Sequence, residues 1–159
     1  KEMAFVAEAI SRSSVKHILF IGSTSVFKDD YNFPRISHNA IPNITSTTAL
    51  QLIAVEQILT AIKGVTTTIL RFSGLIGNDR HPAYYLQGRN NLANPEGPIN
   101  LIHKTDCIDI IKKIVMHKHW GETFNASFPK HPTRKAYYTQ FCKLNDLAMP
   151  TFMMGVKSK

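Results

Sequence analysis

Apolar residues recur at helical spacing over residues 3–10 and predict an amphipathic helix. The polar, serine-rich residues 11–14 are expected to end this helix. A nearly continuous apolar run follows over 17–21 and closes with Gly22 and a series of hydroxyl residues. Such a run is typical of a strand buried on both faces of a parallel sheet. Parallel sheets place ligands at the loops that follow such strands, so residues 22–25 are candidate site residues.

Strands and helices alternate through the rest of the chain. After an irregular excursion over 29–47, the residue patterns predict a helix from 45–48 to Gly64, a strand over 65–72, a strand over 100–103, a helix capped by Thr105, a strand over 123–126 and a last helix after 131–133. The long segment 73–98 is predicted as a loop region with a short helix near 84–86, a length that usually marks a binding surface.

Each of the three later helices carries a predicted apolar face. The first has an apolar stripe of Leu50, Ile53, Ala54, Ile58 and Ile62. In the second, the residues expected to face the core are Cys107, Ile108, Ile111, Ile114 and Val115. The third carries the apolar residues Ala136, Tyr137, Phe141 and Leu144. The alternation predicts βαβ crossovers and therefore an α/β fold, a Rossmann-like parallel sheet with flanking helices. No linker divides the 159 residues, and one domain is expected.

Composition narrows the class of protein. A hydrophobic content of 43% suits a packed core, and no apolar run approaches the roughly 20 residues that span a bilayer. Together with the lack of a secretory leader pattern over residues 1–10, this predicts a cytoplasmic protein without a membrane partner. The net charge of +8 comes from dispersed basic residues, so no nucleic-acid partner is predicted. Cys107 and Cys142 have no metal-ligand spacing, and we expect reduced packing residues and no metal.

Four segments occur in an order that resembles a known family. They are Phe20-Ile-Gly-Ser-Thr-Ser-Val-Phe27, the helix around Glu56, Leu70-Arg-Phe-Ser-Gly-Leu-Ile-Gly77 and Asn100-Leu-Ile-His-Lys-Thr-Asp106. Over nearly the whole chain these segments resemble extended short-chain dehydrogenase/reductase proteins, in particular the epimerase-like subgroup described as nucleoside-diphosphate-sugar epimerases. The resemblance implies an NAD(P)-dependent epimerase or dehydratase-like protein, with NAD or NADP as cofactor and a small molecule, a nucleotide sugar being the candidate, as substrate.

The resemblance also implies site residues. Ser23 matches the hydroxyl residue that hydrogen-bonds the reacting oxygen of the substrate, where a short donor stabilises developing charge. The cofactor would lie against Gly22, Ser23, Phe72, Ser73, Gly74 and Leu75, and the substrate against Thr24, Arg80, Arg89 and Asn100. From the residues alone, two other readings stay open: Ser23 satisfies loop backbone groups, and Gly74 is an ordinary turn glycine.

The chain departs from the family at the general acid/base. That group is a Tyr followed four residues later by a Lys, one helical turn on, so that the ammonium lowers the phenol pKa. Counting back from Glu56 places these positions at Thr48 and Leu52, and neither side chain can do this chemistry. The alternative function is therefore a non-catalytic NAD(P)-binding or redox-sensing protein of the same fold. The Arg that clasps a diphosphate in many sugar-nucleotide epimerases corresponds to Ile99.

The dinucleotide signature is absent from the sequence. The eight glycines are scattered, and no G-x-G-x-x-G or G-x-x-G-x-x-G turn occurs to bind a pyrophosphate. We therefore expect residues 1–159 to be the C-terminal portion of one NAD(P)-binding Rossmann-type domain, without its N-terminal dinucleotide-binding units. Substrate-side insertions are expected around 74–100 and 127–159. The resemblance further implies a homodimer formed through the helix of residues 47–63.

Overall fold

The computed structural model describes residues 2–30, 32–43, 46–78 and 80–153. Its elements in chain order are α1 (Glu2–Ser11), β1 (His17–Ser23), α2 (Thr47–Thr60), β2 (Thr66–Phe72), β3 (Gly74–Ile76), α3 (Ala83–Leu86), β4 (Leu101–His103), α4 (Lys104–Met116), β5 (Thr123–Ala126) and α5 (Arg134–Leu144). The predicted alternation of strands and helices is confirmed. Strand β3, in the segment expected to be a loop, was not predicted because three residues are too few for a periodic pattern.

The main sheet has the strand order β1-β2-β5, and both pairings are parallel. Helix α2 connects β1 to β2, and α4 lies on the connection from β2 to β5. Side chains alternate across the sheet, so Arg71 faces α2 while Leu70 and Phe72 face α4. This arrangement confirms the α/β fold with a parallel sheet and flanking helices.

The core of the main sheet lies on the α4 side. Leu70, Phe72 and Ala126 of the sheet pack with Cys107 and Ile114 of α4 in one buried cluster. Cys107 and Cys142 are both free and buried, as expected of packing residues, and burial raises the pKa of each thiol.

The segments on either side of β4 pack together as a second, smaller part of the fold. Strands β3 and β4 form a parallel pair, and isolated bridges join Leu92 to Phe152 and Pro98 to Thr133. Ile99 and residues of α3 and α5 form a second buried cluster. The two segments expected as substrate-side insertions therefore contact each other. Within the part of the chain that the structure describes, no helix is long and apolar enough to cross a membrane.

Several predicted core positions were wrong. Leu50 and Ala54 of the predicted stripe and Ile108 and Val115 of α4 are exposed. The apolar residues Ala136 and Leu144 of α5 are exposed as well. The inward face of α2 instead carries Ala49, Glu56 and Leu59, because Glu56 meets a buried arginine of β2. A hydrophobic stripe read from sequence cannot include a charged residue, so its predicted centre was displaced around the helix.

Helix starts follow side-chain caps. The Ser46 hydroxyl accepts a hydrogen bond from the Ala49 amide, and the Thr133 hydroxyl does the same for Ala136 at the start of α5. At α4 the cap is His103, whose Nδ1 accepts from the Thr105 amide at 3.3 Å, rather than Thr105 itself. The predicted capping residue Thr45 lies outside the described residues.

Candidate functional site

Ser23 and Phe72 end adjacent parallel strands at the same edge of the sheet. They are register partners, as are Gly22 and Arg71 one residue earlier. The chain then runs from Phe72 through Ser73 into β3, whose first residue is Gly74. The strands run parallel and the loops after β1 and β2 lie side by side, as the sequence predicts. Gly22, Ser23, Phe72, Ser73, Gly74 and Asn100 are called the carboxyl-edge site below.

The Ser23 hydroxyl has a structural partner. Its Oγ accepts a hydrogen bond from the Ser25 amide at 3.1 Å and caps a 3₁₀ turn over Thr24–Val26. Because this bond uses the oxygen as an acceptor, the hydroxyl proton stays available to donate. Capping and substrate contact are therefore chemically compatible roles for Ser23.

A buried ion pair lies beneath the end of β1. Arg71 donates from Nε to Glu56 Oε1 at 2.9 Å and from Nη2 to Oε2 at 2.6 Å, and both side chains are 6% exposed. The Arg71 guanidinium also lies 5.4 Å from the centre of the Phe27 ring. In the sequence, Glu56 served only to locate positions 48 and 52, and its ion pair with Arg71 was not predicted. The signal available was an arginine inside an otherwise apolar strand.

Gly74 is fixed by packing. A Cβ there would lie 2.8 Å from Leu101 Cδ2 and 3.2 Å from the Asn100 carbonyl oxygen. The Gly74 amide donates to that same carbonyl at 3.0 Å, which brings Asn100 into the carboxyl-edge site. The glycine therefore has a sufficient structural reason in the neighbouring strand β4, and the predicted approach of a cofactor is not needed to explain it.

Two polar side-chain atoms near this edge are buried without a hydrogen-bond partner among the described residues. They are Ser73 Oγ and Asn125 Oδ1. Ser73 was predicted as a cofactor contact, whereas Asn125 was not singled out. Buried polar atoms without a partner are rare and call for a physical explanation.

Thr48 and Leu52 lie on α2 one helical turn apart, as the predicted Tyr and Lys positions require. Thr48 is exposed in the first turn, and Leu52 is partly buried. Two tyrosines elsewhere in the chain are followed four residues later by an arginine. Tyr85 and Arg89 do not share a helix, because α3 ends at Leu86, and Tyr31, which precedes Arg35, lies outside the described residues.

The predicted anion ligands Arg80 and Arg89 make no side-chain hydrogen bond or ion pair with the described residues of the carboxyl-edge site. Backbone hydrogen bonds connect Arg80 to Gly77, and Arg89 to Leu86 and Thr151. Their side chains are exposed. Ile99, at the family's arginine position, is 6% exposed and belongs to the second core. The part of the chain that the structure describes thus brings neither arginine into contact with Ser23 or Gly74.

His81 is buried beside Arg80. Its ring stacks on Phe141 with centroids 3.6 Å apart, its Nδ1 accepts from the Ala83 amide, and its Nε2 lies 2.9 Å from the Tyr137 hydroxyl. The accepting Nδ1 places the proton of the neutral ring on Nε2, which donates to Tyr137. Burial lowers the pKa of His81 and raises that of Tyr137. His81 is therefore a neutral residue that anchors residues 80–89 to α5.

Among the described residues, no cluster of three or more His, Cys, Asp or Glu side chains could hold a metal ion. Open surface grooves of about 380 and 330 Å³ lie along α5 and between α4 and β5. Neither is lined by Ser23 or Gly74.

Solved structures share this fold. The chain superposes on UDP-glucuronic acid 4-epimerase from Bacillus cereus, in complex with UDP-glucuronic acid and NAD, with a TM-score of 0.79 and 15% identity over 97% of the chain and 54% of the epimerase. RMD from Pseudomonas aeruginosa, complexed with NADPH, superposes with a TM-score of 0.73 and 12% identity over 93% of this chain and 57% of RMD. A conserved protein of unknown function from Silicibacter pomeroyi superposes with a TM-score of 0.83 and 16% identity over 99% of this chain and 57% of that protein. The chain therefore has the α/β fold of the NAD-dependent sugar epimerases, and it spans about half the length of these neighbours.

A relative by sequence is Protein YeeZ of Escherichia coli K12, which is 30% identical over 144 residues. The match covers 91% of this chain and 52% of YeeZ, so the chain spans about half the length of its curated relative. No family model matches the chain.

Proposed function

We propose that the protein is an NAD(P)-binding, epimerase- or dehydratase-like protein that acts on a nucleoside-diphosphate sugar and lacks the usual Tyr and Lys pair. The observation that carries the proposal is the register pairing of Ser23 with Phe72, which puts the loops after β1 and β2 side by side. Ligands of open α/β sheets bind outside the carboxyl ends of such strands. The neighbours that share the fold include structures solved with NAD, NADPH and UDP-glucuronic acid.

The residues of the carboxyl-edge site fit the nicotinamide end of a dinucleotide. Gly74 is exposed and has no side chain, so backbone can approach a planar ring there. Gly22, Ser23 and the backbone of Phe72 to Leu75 would line the ring, and Thr24 and Asn100 would contact the substrate. The bound cofactor would supply transient hydride transfer. Ser23 would orient the substrate by donating its hydroxyl proton to the reacting oxygen.

A second function, binding NAD(P) without turnover, has an observation of its own. Leu52 stands where a lysine would hold the cofactor ribose, and Thr48 has no phenol to exchange a proton. A protein that senses the bound cofactor's redox state needs neither group. Arg80 and Arg89 stay predicted anion ligands, and the cytoplasmic location and the homodimer through α2 stay predictions.

The test is a calorimetric titration of NAD, NADH, NADP and NADPH into the product of the complete gene and into the 159-residue chain. We expect the complete product to bind one of the pairs. The 159-residue chain should bind weakly, because its sequence has no glycine-rich turn for the pyrophosphate. Absence of binding by the complete product would refute the proposal, and tight binding by the chain alone would refute the argument from the glycine-rich turn.

Turnover separates the two functions. The complete gene product, loaded with its preferred cofactor, is incubated with UDP-glucose or UDP-glucuronic acid, and the sugar is followed by proton NMR. A changed sugar supports the epimerase or dehydratase function. Tight cofactor binding with unchanged sugars supports the non-catalytic one.

A further inference from the structure

Ser73 and Asn125 each carry a buried oxygen that has no partner among the described residues. Ser73 is 6% exposed, so solvent cannot readily satisfy its hydroxyl. An unpaired buried polar atom costs free energy comparable to a lost hydrogen bond, and native structures rarely leave two in one place. A group outside the chain is therefore expected to bind them.

The orientation of the Asn125 amide is fixed by chemistry. Its Nδ2 donates to the carbonyl oxygen of Ser37 at 3.0 Å, and a carbonyl oxygen can only accept. A flipped amide would place two acceptors against each other. Oδ1 is thus the unpaired atom, and it needs a donor.

Strand register places the two side chains on one face of the sheet. Asn125 is the register partner of Arg71, and Ser73 lies two residues beyond Arg71 on the same strand direction. The Ser73 amide donates to the Ala126 carbonyl at 3.0 Å, so the ladder continues to this point. Strands about 4.8 Å apart with a rise of about 3.3 Å per residue put the two Cα atoms roughly 8 Å apart. One small polar group can bridge that spacing.

The charges near Ser73 and Asn125 indicate which kind of chemical group can bind between them. Arg71, the register partner of Asn125, already makes two hydrogen bonds to Glu56, so this ion pair presents no net charge. An anion would meet the Asn125 oxygen without a free cation to offset it. The bound group must be neutral and must donate a hydrogen bond, and the Ser73 hydroxyl can donate or accept.

We propose that Ser73 Oγ and Asn125 Oδ1 form a subsite for a neutral hydroxyl or carboxamide group at the carboxyl end of β2 and β5. The inference deepens the proposed function and rests on it for the source of that group. The nicotinamide carboxamide of the cofactor and a hydroxyl of the substrate sugar share the required chemistry.

The experiment uses the complete gene product and the variants Ser73→Ala and Asn125→Ala. Matched controls are Ser127→Ala, which removes a hydroxyl that contacts the Leu101 carbonyl, and Asn43→Ala, which removes the side-chain oxygen that accepts from the Lys28 amide. Each protein is titrated calorimetrically with NAD and with its acetylpyridine analogue, in which a methyl group replaces the amide nitrogen and its donors. The NAD-loaded proteins are then titrated with UDP-glucose.

If the carboxamide fills the subsite, the parent protein binds NAD about fivefold to tenfold more tightly than the analogue, and both variants lose that preference. If a sugar hydroxyl fills it, the variants keep their NAD affinity and bind UDP-glucose about fivefold to tenfold more weakly. The two controls should behave as the parent. Parent-like affinities of both variants for both ligands would mean that only water occupies the subsite, and would overturn the inference.

A separate measurement covers failure of the proposed function itself. If the parent protein binds no dinucleotide, its Asn125 side-chain amide resonance is followed by NMR during addition of free nicotinamide or glucose. A shift in the parent that disappears in Ser73→Ala keeps the subsite and rejects only the dinucleotide proposal. Unchanged resonances with both compounds would reject the subsite as well.

Discussion

Glu56 on α2 and Arg71 on β2 form their ion pair in the space that a side chain at position 22 would need. A Cβ on Gly22 would lie 3.3 Å from Glu56 Oε1 and 3.5 Å from Arg71 Cγ. The pair therefore connects α2 to the sheet immediately below the end of β1, one residue before Ser23. The ion pair therefore contacts Gly22, a residue of the carboxyl-edge site.

We predict that Glu56→Gln destabilises the protein by about 3–5 kcal/mol, because it leaves the Arg71 charge buried without a counter-charge. The double variant Glu56→Leu with Arg71→Met should lose less than this single variant, since it buries no unpaired charge. Urea unfolding of the three proteins measures the difference. Glu8→Gln is the matched control: its pair with Arg12 is exposed, and its loss should cost less than about 1 kcal/mol. Equal effects at positions 8 and 56 would contradict the buried pair.

Gly74→Ala should destabilise the pairing of β3 with β4. The added Cβ meets the end of the flexible Leu101 side chain and the rigid Asn100 carbonyl, so we expect a loss of about 1–3 kcal/mol, as for overpacking in a core. Adding Leu101→Ala relieves only the first of these contacts. Gly74→Ala should therefore still lower the stability of the Leu101→Ala protein, but by less than it lowers the stability of the parent. Thermal unfolding of the parent, the two single variants and the double variant measures both losses. If Gly74→Ala costs no stability in the Leu101→Ala background, the Asn100 carbonyl has no role in the loss.

The sequence predicted the positions of the first two strands of the main sheet well, although the expected burial on both faces holds only for β2. Strand β1 lies at the edge of the three-stranded sheet, none of its residues is fully buried, and Ile21 is 43% exposed. The runs at 17–21 and 65–72 are apolar and β-branched, and these properties depend on local sequence alone. The observed strands His17–Ser23 and Thr66–Phe72 differ from these predictions only at their ends. Parallel pairing followed from the helix between them, which is why the adjacency of the loops after Ile21 and Phe72 was also predictable.

The features that sequence could not supply depend on pairs distant along the chain. The partner of Glu56 lies 15 residues away, and the hydrogen bond from Asn125 to Ser37 spans 88 residues. The buried faces of the helices were predicted wrongly for a related reason. Ile108 and Val115 are as apolar as Ile114, and only the position of the sheet decides which of these side chains are buried. The roles of the predicted site residues stay predictions, since geometry places Ser23 and Gly74 without showing what binds there.

Stability should fall in mildly acidic solution because of His81. Burial holds its pKa below the ordinary histidine value of about 6.5, so below that pH the unfolded chain takes up a proton that the folded protein does not. The unfolding free energy therefore decreases as the pH falls from about 6.5 toward the folded-state pKa of His81. Urea unfolding at a series of pH values should show a smaller decrease over this window in His81→Gln. The exposed His131→Gln serves as the control, and an identical slope in all three proteins would disprove the assignment.

Ser23→Ala separates the two roles of its hydroxyl. Loss of the cap on the 3₁₀ turn should cost about 0.5–2 kcal/mol, an effect that Thr133→Ala, which removes the cap of α5, should match. If the complete gene product turns over a nucleotide sugar and Ser23 donates to the reacting oxygen, its turnover should also fall by a factor of about 100 or more. Thr133→Ala should leave turnover unchanged. Full turnover in Ser23→Ala, with only the stability loss, would assign this serine to the turn alone.

The positions of Thr48 and Leu52 allow the missing acid/base pair to be restored. They lie one turn apart on α2, the spacing at which a lysine can lower the pKa of a tyrosine phenol. We predict that Thr48→Tyr with Leu52→Lys raises the rate of sugar conversion by the NAD(P)-loaded complete gene product, by about 100-fold or more if proton transfer limits the parent. Thr48→Phe with Leu52→Lys has the same bulk without the hydroxyl and should show no gain. An equal rise in both double variants would mean that proton transfer at position 48 is not the cause. No rise in either would mean that the substrate does not reach α2, which would favour the non-catalytic function.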